Sequence, residues 1–257
     1  MDKQYYLDCL DTGTKLYWYT LGKLPGMSLH TGDIEWVMSV LPDGVKRIFN
    51  ICIKSEYVDD ALNELIYMIK SNKAPSGILI TPSSKPDNII QILCSKSFTI
   101  DYDTGSGMAM DIDSSIYQIK PAENIEIVSV KDKETLKTWV SIVNTALFET
   151  ELFTYEQVCE LFMLDNTYFY LGLINGQPAS TCMAITDGYI ATIEMVSTLK
   201  EYRKNGLGTA VTVTTLQELL NIDIKTAILR AEKEAVIMYK NIGFVEFYKR
   251  VVANYNL

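Results

Sequence analysis

The sequence predicts an α/β protein with a mixed central sheet and flanking helices, built from two successive units. Short apolar runs rich in β-branched residues alternate with amphipathic segments of helical spacing, and the alternation pauses in a polar stretch near residue 120. A chain of 257 residues with 48% hydrophobic side chains can bury one large core or two smaller ones. We expect a first unit over residues 1–120 and a second over 125–257.

The first unit begins with two strands. Residues 35–53 contain two apolar runs joined by a Pro-Asp-Gly turn, which is typical of paired strands. Apolar side chains at helical spacing predict a helix over 58–72. A short buried strand at 76–82, a second amphipathic helix at 87–98 and a strand at 107–113 follow.

The second unit begins with a strand at 125–130 and an amphipathic helix at about 136–147. Thr154 and Gln157 form a capping-box pattern that predicts the start of another helix. Asn175-Gly176, between two apolar runs, predicts a hairpin with a type I′ turn.

The next segments contain one conflict between propensity and layout. Asp187-Gly188 predicts a turn before a further strand, and the stretch TAVTVTT (209–215) alternates Val and Thr as strands often do. We predict a helix there, continuing to about residue 221, because a glycine-bracketed loop after a strand usually opens a helix in α/β proteins. The chain then closes with a strand, a helix and strand material.

A weak internal repeat accompanies these elements. Residues 78–98 and 227–244 both read as a strand, a polar turn and a helix that ends before a phenylalanine. The repeat predicts that the two units share a layout.

Composition limits the classes of function. Lys plus Arg number 23 against 32 Asp plus Glu, so the formal net charge is −9. Nucleic-acid-binding proteins carry a basic face, and we therefore expect no nucleic-acid partner. No apolar run approaches the roughly 18 residues of a membrane span, and the first residues lack the apolar core of a signal peptide. We expect a cytoplasmic protein with no membrane partner.

Cysteine and histidine usage argues against metal sites and disulfides. The cysteines are odd in number and form no C-x-x-C pair, which favours buried free thiols: Cys9, Cys52, Cys94, Cys159 and Cys182. His30 is the only histidine, which excludes a site with several histidine ligands. We expect no metal, so acid–base chemistry has to rely on carboxylates, tyrosines or water.

The stretch EYRKNGLGTA (201–210) is the main candidate for a binding site. Gly206 and Gly208 leave backbone amides accessible, while Arg203 and Lys204 add positive charge. Amides at a helix N-terminus bind anions, although a plain turn with a basic edge would contain the same residues. The P-loop pattern is absent, and the lack of a third glycine leaves a dinucleotide-binding fingerprint unsupported.

Two motifs in order point to a family. Arg203, Gly206 and Gly208 form R-x-x-G-x-G after a predicted strand, and Tyr239 with Phe244 belongs to the element YKNIGF after the next strand. This combination resembles the GNAT superfamily of N-acetyltransferases, and the resemblance covers about half of the chain. It implies a GNAT-like second unit that uses acetyl-CoA, or another acyl-CoA, as co-substrate.

The resemblance also describes the first unit. It is similar to the helper half of some two-part members of the superfamily, so we expect a smaller GNAT-like α/β unit over 1–120. This unit contains no R-x-x-G-x-G pattern, and we expect no second donor site there.

The resemblance implies a set of donor-binding residues by motif position. The pyrophosphate would lie beside Arg203 on the amides of the loop: Lys204, Asn205, Gly206, Leu207, Gly208 and Thr209. The pantetheine arm would pair, like an added strand, with the backbone of Val196, Ser197 and Thr198.

Two side chains are candidates for proton transfer. Glu194 lies two residues before Val196, where similar enzymes often carry the base that deprotonates the amine; a structural carboxylate is the alternative. Tyr239 occupies the usual general-acid position and would protonate the departing thiolate; a tyrosine packed over the closing strand is the alternative. A backbone amide near Val196 would stabilise the oxyanion.

One position departs from the family pattern. Seven residues before Tyr239, where many members carry an asparagine, this chain has Glu232. An ionised carboxylate cannot donate the hydrogen bond of an amide, so the donor geometry and the choice of acyl group are open at this point.

The leading hypothesis is an N-acetyltransferase that moves an acetyl (acyl) group from acetyl-CoA to a primary amine by direct attack in a ternary complex. The alternatives are a non-catalytic acyl-CoA-binding module and an α/β interaction protein with a coincidental loop. We expect a small-molecule or peptide amine as acceptor, and a homodimer stays open. Phe148, Phe153 and Tyr155 could wall the acceptor pocket, or they could belong to the core.

Overall fold

A computed structural model describes residues 2–256, and the chain divides into two compact units. The first unit contains the residues up to Gly107, together with Ala231–Glu234 and the residues from Glu246 onward. The second unit contains Met108–Arg230 and Ala235–Val245. Across the described residues, no helix is both long enough and apolar enough to span a membrane.

The first unit is built on a six-stranded mixed sheet. Its elements in chain order are α1 (Lys3–Gly22), β1 (Met27–His30), β2 (Ile34–Ser39), β3 (Lys46–Ile51), α2 (Val58–Lys70), β4 (Gly77–Ile80), α3 (Ile89–Ser95) and β5 (Phe98–Asp101). The last strand of the chain, Val251–Tyr255, completes this sheet between β4 and β5, in the order β1-β2-β3-β4-β13-β5. Only β3 and β4 pair in parallel among the strand pairs described here.

The helices and strands predicted between residues 35 and 98 of the first unit are confirmed, whereas the strand predicted at 107–113 belongs to the second sheet. The core of the first unit explains its helices. Leu62 and Leu65 of α2 and Leu93 of α3 are almost completely buried against the sheet. These are the positions that helical spacing marks as one apolar face. The sequence prediction missed α1. Its buried side includes Tyr6, Thr14 and other polar or small residues, so the buried and exposed faces of this helix differ little in hydrophobicity.

The second sheet has seven strands. Its chain order is β6 (Ser106–Asp111), β7 (Ile125–Ser129), α4 (Lys133–Val143), α5 (Tyr155–Phe162), β8 (Thr167–Ile174), β9 (Gln177–Thr186), β10 (Ile190–Thr198), α6 (Leu207–Asn221), β11 (Thr226–Ala231), α7 (Val236–Ile242) and β12 (Val245–Lys249). The strand order is β12-β6-β11-β10-β9-β8-β7, and β10 and β11 run parallel. The capping box at Thr154 and the left-handed turn at Asn175-Gly176 are present as predicted.

The helix predicted at the Val/Thr-rich segment is confirmed as part of α6. Thr212 and Thr215 are fully buried in this helix. Their hydroxyl groups donate to the carbonyl oxygens of Gly208 and Val211, at 2.8 Å in each case. Because each hydroxyl finds its partner one turn back in the same helix, β-branched polar residues can face the core without an unpaired donor.

The C-terminal segment differs from the predicted domain boundaries. The residues from Glu246 onward and Ala231–Glu234 were expected in the second unit, but they belong to the first. Residues 108–120 were expected in the first unit and belong to the second. For the last strand the reason is pairing, because β13 (Val251–Tyr255) lies antiparallel to both β4 and β5. The preceding strand, β12, is part of the second sheet. Ala253 is fully buried between Ile78 and Ile100, its neighbours in those strands.

The internal repeat seen in the sequence corresponds to matched topology. Each repeat contributes two strands to its sheet, with a helix between them in the chain. These elements are β4-α3-β5 in the first sheet and β11-α7-β12 in the second. In both sheets a strand from another part of the chain lies between the two repeat strands, namely β13 in the first and β6 in the second. The two sheets therefore share a layout, as the repeat predicted.

Candidate functional site

The loop between β10 and α6 presents an open helix N-terminus. A 3₁₀ turn at Lys200–Tyr202 follows β10, and α6 begins at Leu207 with Gly206 as its N-cap. Gly206 has φ of +87° and supplies no side chain to cap the first amides of the helix. Lys204 also has a positive φ, of +65°. The first backbone N–H groups of α6 are thus left for an external acceptor, with the helix dipole favouring an anion.

Gly206 and Gly208 are needed for different reasons. At Gly206, a left-handed backbone conformation disfavours any residue with a Cβ atom. At Gly208, a Cβ would lie 3.1 Å from the Sδ of Met238, in α7, and 3.8 Å from the Oγ1 of Thr198. The second glycine therefore lets α7 and the end of β10 approach the start of α6 closely.

Arg203 supports the loop backbone. Its Nε donates to the carbonyl oxygen of Thr198 at 3.0 Å, and a terminal nitrogen donates to that of Ala146, also at 3.0 Å. The guanidinium thus ties the end of β10 to the segment after α4. Lys204 is exposed, and the side chain of Asn205 donates to the carbonyl oxygen of Tyr202 at 3.1 Å. Of the two predicted cations, Lys204 is the one whose side chain is free to reach an anion over the loop.

A β-bulge in β10 changes how this strand pairs. Its parallel pairing with β11 ends at Ile193, opposite Leu229. In the antiparallel pairing with β9, the register shifts between Glu194 and Ser197, and Met195 adopts φ of +51°. Val196 has no partner in the β9 register. One extra residue in β10 therefore redirects its backbone beyond Ile193, where the pairing with β11 has stopped.

Two hydroxyl groups of β9 stabilise the bulge. Thr181 donates to the carbonyl oxygen of Met195 at 2.8 Å, and Ser180 donates to that of Ser197 at 2.5 Å. Both side chains are fully buried. These bonds give hydroxyl donors to carbonyl groups at the bulge and directly after it, so the distorted backbone is held in place.

Glu194 lies on the side of the sheet that α4 covers. It is opposite Met183 in β9, which is itself opposite Phe169 in β8. The ring of Phe169 packs edge-on against Trp139 of α4, with centroids 4.9 Å apart. Glu194 is therefore on the same face as α4 and the segment that follows it.

The Glu194 carboxylate has an arginine partner. Its Oε1 lies 2.6 Å from a terminal nitrogen of Arg230 in β11, and it accepts a hydrogen bond from Thr192. Only 10% of the Glu194 side chain and 7% of the Arg230 side chain are exposed. An ion pair with a buried arginine fixes the orientation of the carboxylate. Sequence reasoning missed Arg230, because no pattern in the chain links residues 36 positions apart.

Tyr239 is buried in the last turn of α7, where it is 6% exposed. Its carbonyl oxygen accepts from the amides of Gly243 and Phe244, and Gly243 has φ of +126°. The rings of Tyr239 and Phe244 pack edge-on at 5.7 Å. The element YKNIGF is thus a helix that ends at its glycine. A Cβ on Gly208 would lie 3.1 Å from the Sδ of Met238, the residue before Tyr239, so α7 lies close to the loop.

The segment after α4 contains a π-helical turn at Asn144–Phe148. The buried Asn144 side chain donates to the carbonyl oxygen of Phe153 at 2.8 Å and accepts from its amide at 3.2 Å. Phe153 is 2% exposed and belongs to the core, whereas Phe148 is half-buried. Of the aromatic residues predicted to wall an acceptor pocket, Phe153 therefore presents almost no surface. The asparagine inside an apolar helical pattern was the available signal for this turn.

Glu232, at the position where the family pattern has an asparagine, forms an ion pair with Arg250 at 2.9 Å. Both residues belong to the first unit, in which Arg250 also donates to the carbonyl oxygen of Thr104 at 2.6 Å. The carboxylate therefore has a local structural role.

The strand edge that corresponds to the bulged part of β10 is occupied in the first unit. Beyond β3, the amide of Lys85 donates to the carbonyl oxygen of Ile51 at 2.9 Å. The carbonyl oxygen of Lys85 accepts from the amide of Ile53 at 3.2 Å. The chain's own backbone thus pairs with this edge of the first sheet.

Comparisons with known proteins agree with this geometry. A family model described as "Acetyltransferase (GNAT) domain" matches residues 127–255, which is half of the chain. A search of curated proteins found no match. Among solved structures, a GCN5-related N-acetyltransferase from Kribbella flavida is 16% identical, with a TM-score of 0.71 over 95% of this chain and 96% of that one.

Two further solved structures are similar over most of their length. A tandem GNAT protein from the clavulanic acid biosynthesis pathway is 13% identical, with a TM-score of 0.64 over 96% of this chain and 88% of that one. A GCN5-related N-acetyltransferase from Sphaerobacter thermophilus is 14% identical, with a TM-score of 0.63 over 86% and 79%. These likenesses confirm the predicted fold class of two GNAT-like α/β parts. With the family match and the loop geometry, they show that this chain belongs to the GNAT acetyltransferase family, whose co-substrate is acetyl-CoA.

Proposed function

We propose that the protein transfers an acetyl group from acetyl-CoA to a primary amine of a small molecule or peptide. This proposal rests on the fact that a strand end no longer paired with β11 and an open helix N-terminus follow each other in the chain. The bulged end of β10, whose pairing with β11 has stopped, leads through the loop into the uncapped N-terminus of α6. A long ligand fits these backbone groups if its pyrophosphate lies at the helix N-terminus and its amide-containing arm lies along the end of β10.

The residues present fit acetyl-CoA. Loop amides from Lys204 to Thr209 would hold the pyrophosphate, and Lys204 would add positive charge. Arg203 stabilises the loop through its hydrogen bonds to backbone carbonyl groups. The backbone of Val196–Thr198 would pair with the pantetheine arm. The bound co-substrate supplies an activated thioester; the protein's own groups orient it and move protons.

Glu194 is the proposed base for the acceptor amine. An amine with a pKa of about 10.4 costs roughly 4.6 kcal/mol to hold neutral at pH 7. Glu194 lies at the bulge, beside Val196, and faces the α4 side of the sheet. We propose that this carboxylate, oriented by Arg230, accepts the proton, directly or through water.

Direct attack on the thioester agrees with the state of Cys182, the cysteine on β9. Burial raises the pKa of this thiol to about 12, and the side chain is fully buried. A thiol in this environment is not ionised near neutral pH and does not act as a nucleophile. We therefore propose a ternary complex in which the amine attacks the thioester carbonyl, with the Val196 amide donating to the oxyanion and Tyr239 protonating the thiolate.

The free cysteines favour a reducing compartment. None of the five forms a disulfide, as predicted, but Cys52 and Cys94 are exposed, so the prediction that all five are buried was wrong. Exposed thiols persist in reduced form inside cells more readily than outside. We propose a cytoplasmic reaction on this ground.

The first experiment is calorimetric titration with acetyl-CoA of the native protein and of Gly206→Ala. We expect Gly206→Ala to weaken binding about tenfold or more, because a Cβ at a positive φ displaces the loop amides. The matched control is Gly176→Ala, since Gly176 also has a positive φ, of +76°, and open space around it. Both variants should lose about 1 kcal/mol of stability. Equal affinities in the two variants, or no binding by the native protein, would refute a pyrophosphate site in the loop.

A second experiment examines Glu194→Gln with acetyl-CoA and a panel of amines, following release of the thiol. We expect about a tenfold loss of kcat/KM at pH 7, and a smaller loss as the pH approaches the pKa of the amine, where the acceptor is neutral without a base. Glutamine keeps an acceptor for Arg230, which limits damage to the fold. A loss that is the same at every pH would indicate that Glu194 serves only to position Arg230.

A further inference from the structure

The first unit contains a cavity of about 570 Å³ away from the acyl-CoA loop. It lies where β3 and β4 begin and α2 ends, and it is bounded on another side by β13. Polar lining comes from Arg47, Asn72, Ser76 and Asn254, and apolar lining includes Met38 and Ile69. All of these residues belong to the first unit. Its volume is that of a small-molecule site.

The charge of the lining has one sign. Among the described residues that line the cavity, Lys46 and Arg47 have the only formally charged side chains, and none has a carboxylate. The chain as a whole has a net charge of −9, so the positive charge of this cavity is opposite in sign to the net charge of the protein. Lys46 donates to the carbonyl oxygen of Pro42 at 2.5 Å and lies at the exposed rim. Arg47 is half-buried.

Arg47 has no acceptor for its donors. Within residues 2–256, no atom accepts a hydrogen bond from its guanidinium or forms an ion pair with it. Burial lowers the pKa of Arg47, and the charge of Arg250 acts in the same direction, while Glu232 opposes both. A guanidinium carries five N–H donors that favour planar, bidentate acceptors, so a partly desolvated and unpaired one is costly.

The neighbouring residues leave room for the guanidinium beside the strands. A Cβ on Gly77 would lie 2.7 Å from a terminal nitrogen of Arg47 and 3.1 Å from the side-chain oxygen of Asn254. Glycine at this position therefore allows both polar groups to lie over β4, at the wall of the cavity. A larger side chain there would displace Arg47.

We propose that this cavity binds a small organic oxyanion, a carboxylate or a phosphate ester, which Arg47 holds in a bidentate contact. Lys46 adds charge at the rim, and Asn72, Ser76 and Asn254 supply further polar groups. The apolar wall formed by residues such as Met38 and Ile69 covers the hydrocarbon part of the ligand. The site is independent of the proposed acyl-transfer chemistry, since none of its residues belongs to the loop or to β10.

The test compares native protein with Arg47→Met, using inorganic phosphate and butyrate as separate probes in thermal-shift and calorimetric titrations. Lys23→Met is the matched control, because it removes an exposed cation of the same unit that does not line the cavity. We expect at least one anion to raise the Tm of the native protein and of Lys23→Met. For Arg47→Met we expect binding about tenfold weaker or worse.

The two probes distinguish the possible ligand classes. A response to phosphate alone identifies a phosphorylated ligand, and a response to butyrate alone identifies a carboxylate. General stabilisation by salts would raise the Tm of all three proteins equally and would overturn the proposal, as would the absence of any response in the native protein. Circular dichroism checks that Arg47→Met is folded, and Arg47→Lys, which keeps the charge but loses the bidentate geometry, should fall between the two.

Discussion

Replacing Tyr239 with phenylalanine should lower kcat at least about a hundredfold and leave the Kd for acetyl-CoA unchanged. The phenol is the proposed donor of the proton that the departing thiolate takes up, and positioned acid–base groups contribute about a hundredfold to ten-thousandfold. Phenylalanine keeps the ring contact with Phe244, so α7 should retain its packing against the start of α6.

The matched control is Tyr170→Phe. Tyr170 in β8 is 5% exposed, against 6% for Tyr239, so the two substitutions remove hydroxyl groups from equally buried rings of the same unit. Steady-state kinetics and calorimetry on both variants separate chemistry from folding. If Tyr239→Phe turns over like the native protein, another group protonates the thiolate. If the native protein binds acetyl-CoA but acetylates no amine in a broad panel, the non-catalytic binding module becomes the better description.

Introducing aspartate at Ala253 should destabilise the first unit by at least about 4 kcal/mol. Ala253 is fully buried in β13, packed in the core with residues of β4 and β5. An aspartate there would bury a charge among apolar side chains such as Ile78 and Phe98. Urea denaturation measures the loss.

The control for this experiment is Asn256→Asp, which adds the same side chain at an exposed position three residues later. Hydrogen exchange would show where the damage falls: amides of β4 and β5 should lose protection in Ala253→Asp, and those of β8 and β9 should keep it. Similar unfolding midpoints for the two variants would contradict the placement of β13 inside the first sheet.

Much of the fold was predictable because local signals agreed with the tertiary structure. The apolar periodicity of α2 and the turn chemistry at Asn175-Gly176 each specify one conformation. At 209–215 the strand propensity of Val and Thr was overridden by the glycine loop that opens α6, and layout was the better guide. Glycine spacing predicted the loop residues as a binding site, and the structure places them at the N-terminus of α6.

The remaining features depend on contacts between distant parts of the chain. The pairing of Glu194 with Arg230 joins neighbouring strands and has no local pattern. The bulge at Met195 is stabilised by Ser180 and Thr181 of β9, which resemble ordinary strand residues. A five-residue strand such as β13 suits either sheet, so its place between β4 and β5 is set by three-dimensional pairing alone.

The position of β13 also determines the order in which a nascent chain can fold. β4 ends at Ile80 and its partner strand begins at Val251, about 170 residues later. At the usual rates of translation, roughly ten to thirty seconds pass between the synthesis of the two strands. During this interval the facing edges of β4 and β5 have no partner, and unpaired edges favour association between chains. The unit whose synthesis begins first is therefore the last that can be completed. Slower synthesis at low temperature should affect the yield of folded protein, as should chaperone binding to the segment that contains β4 and β5.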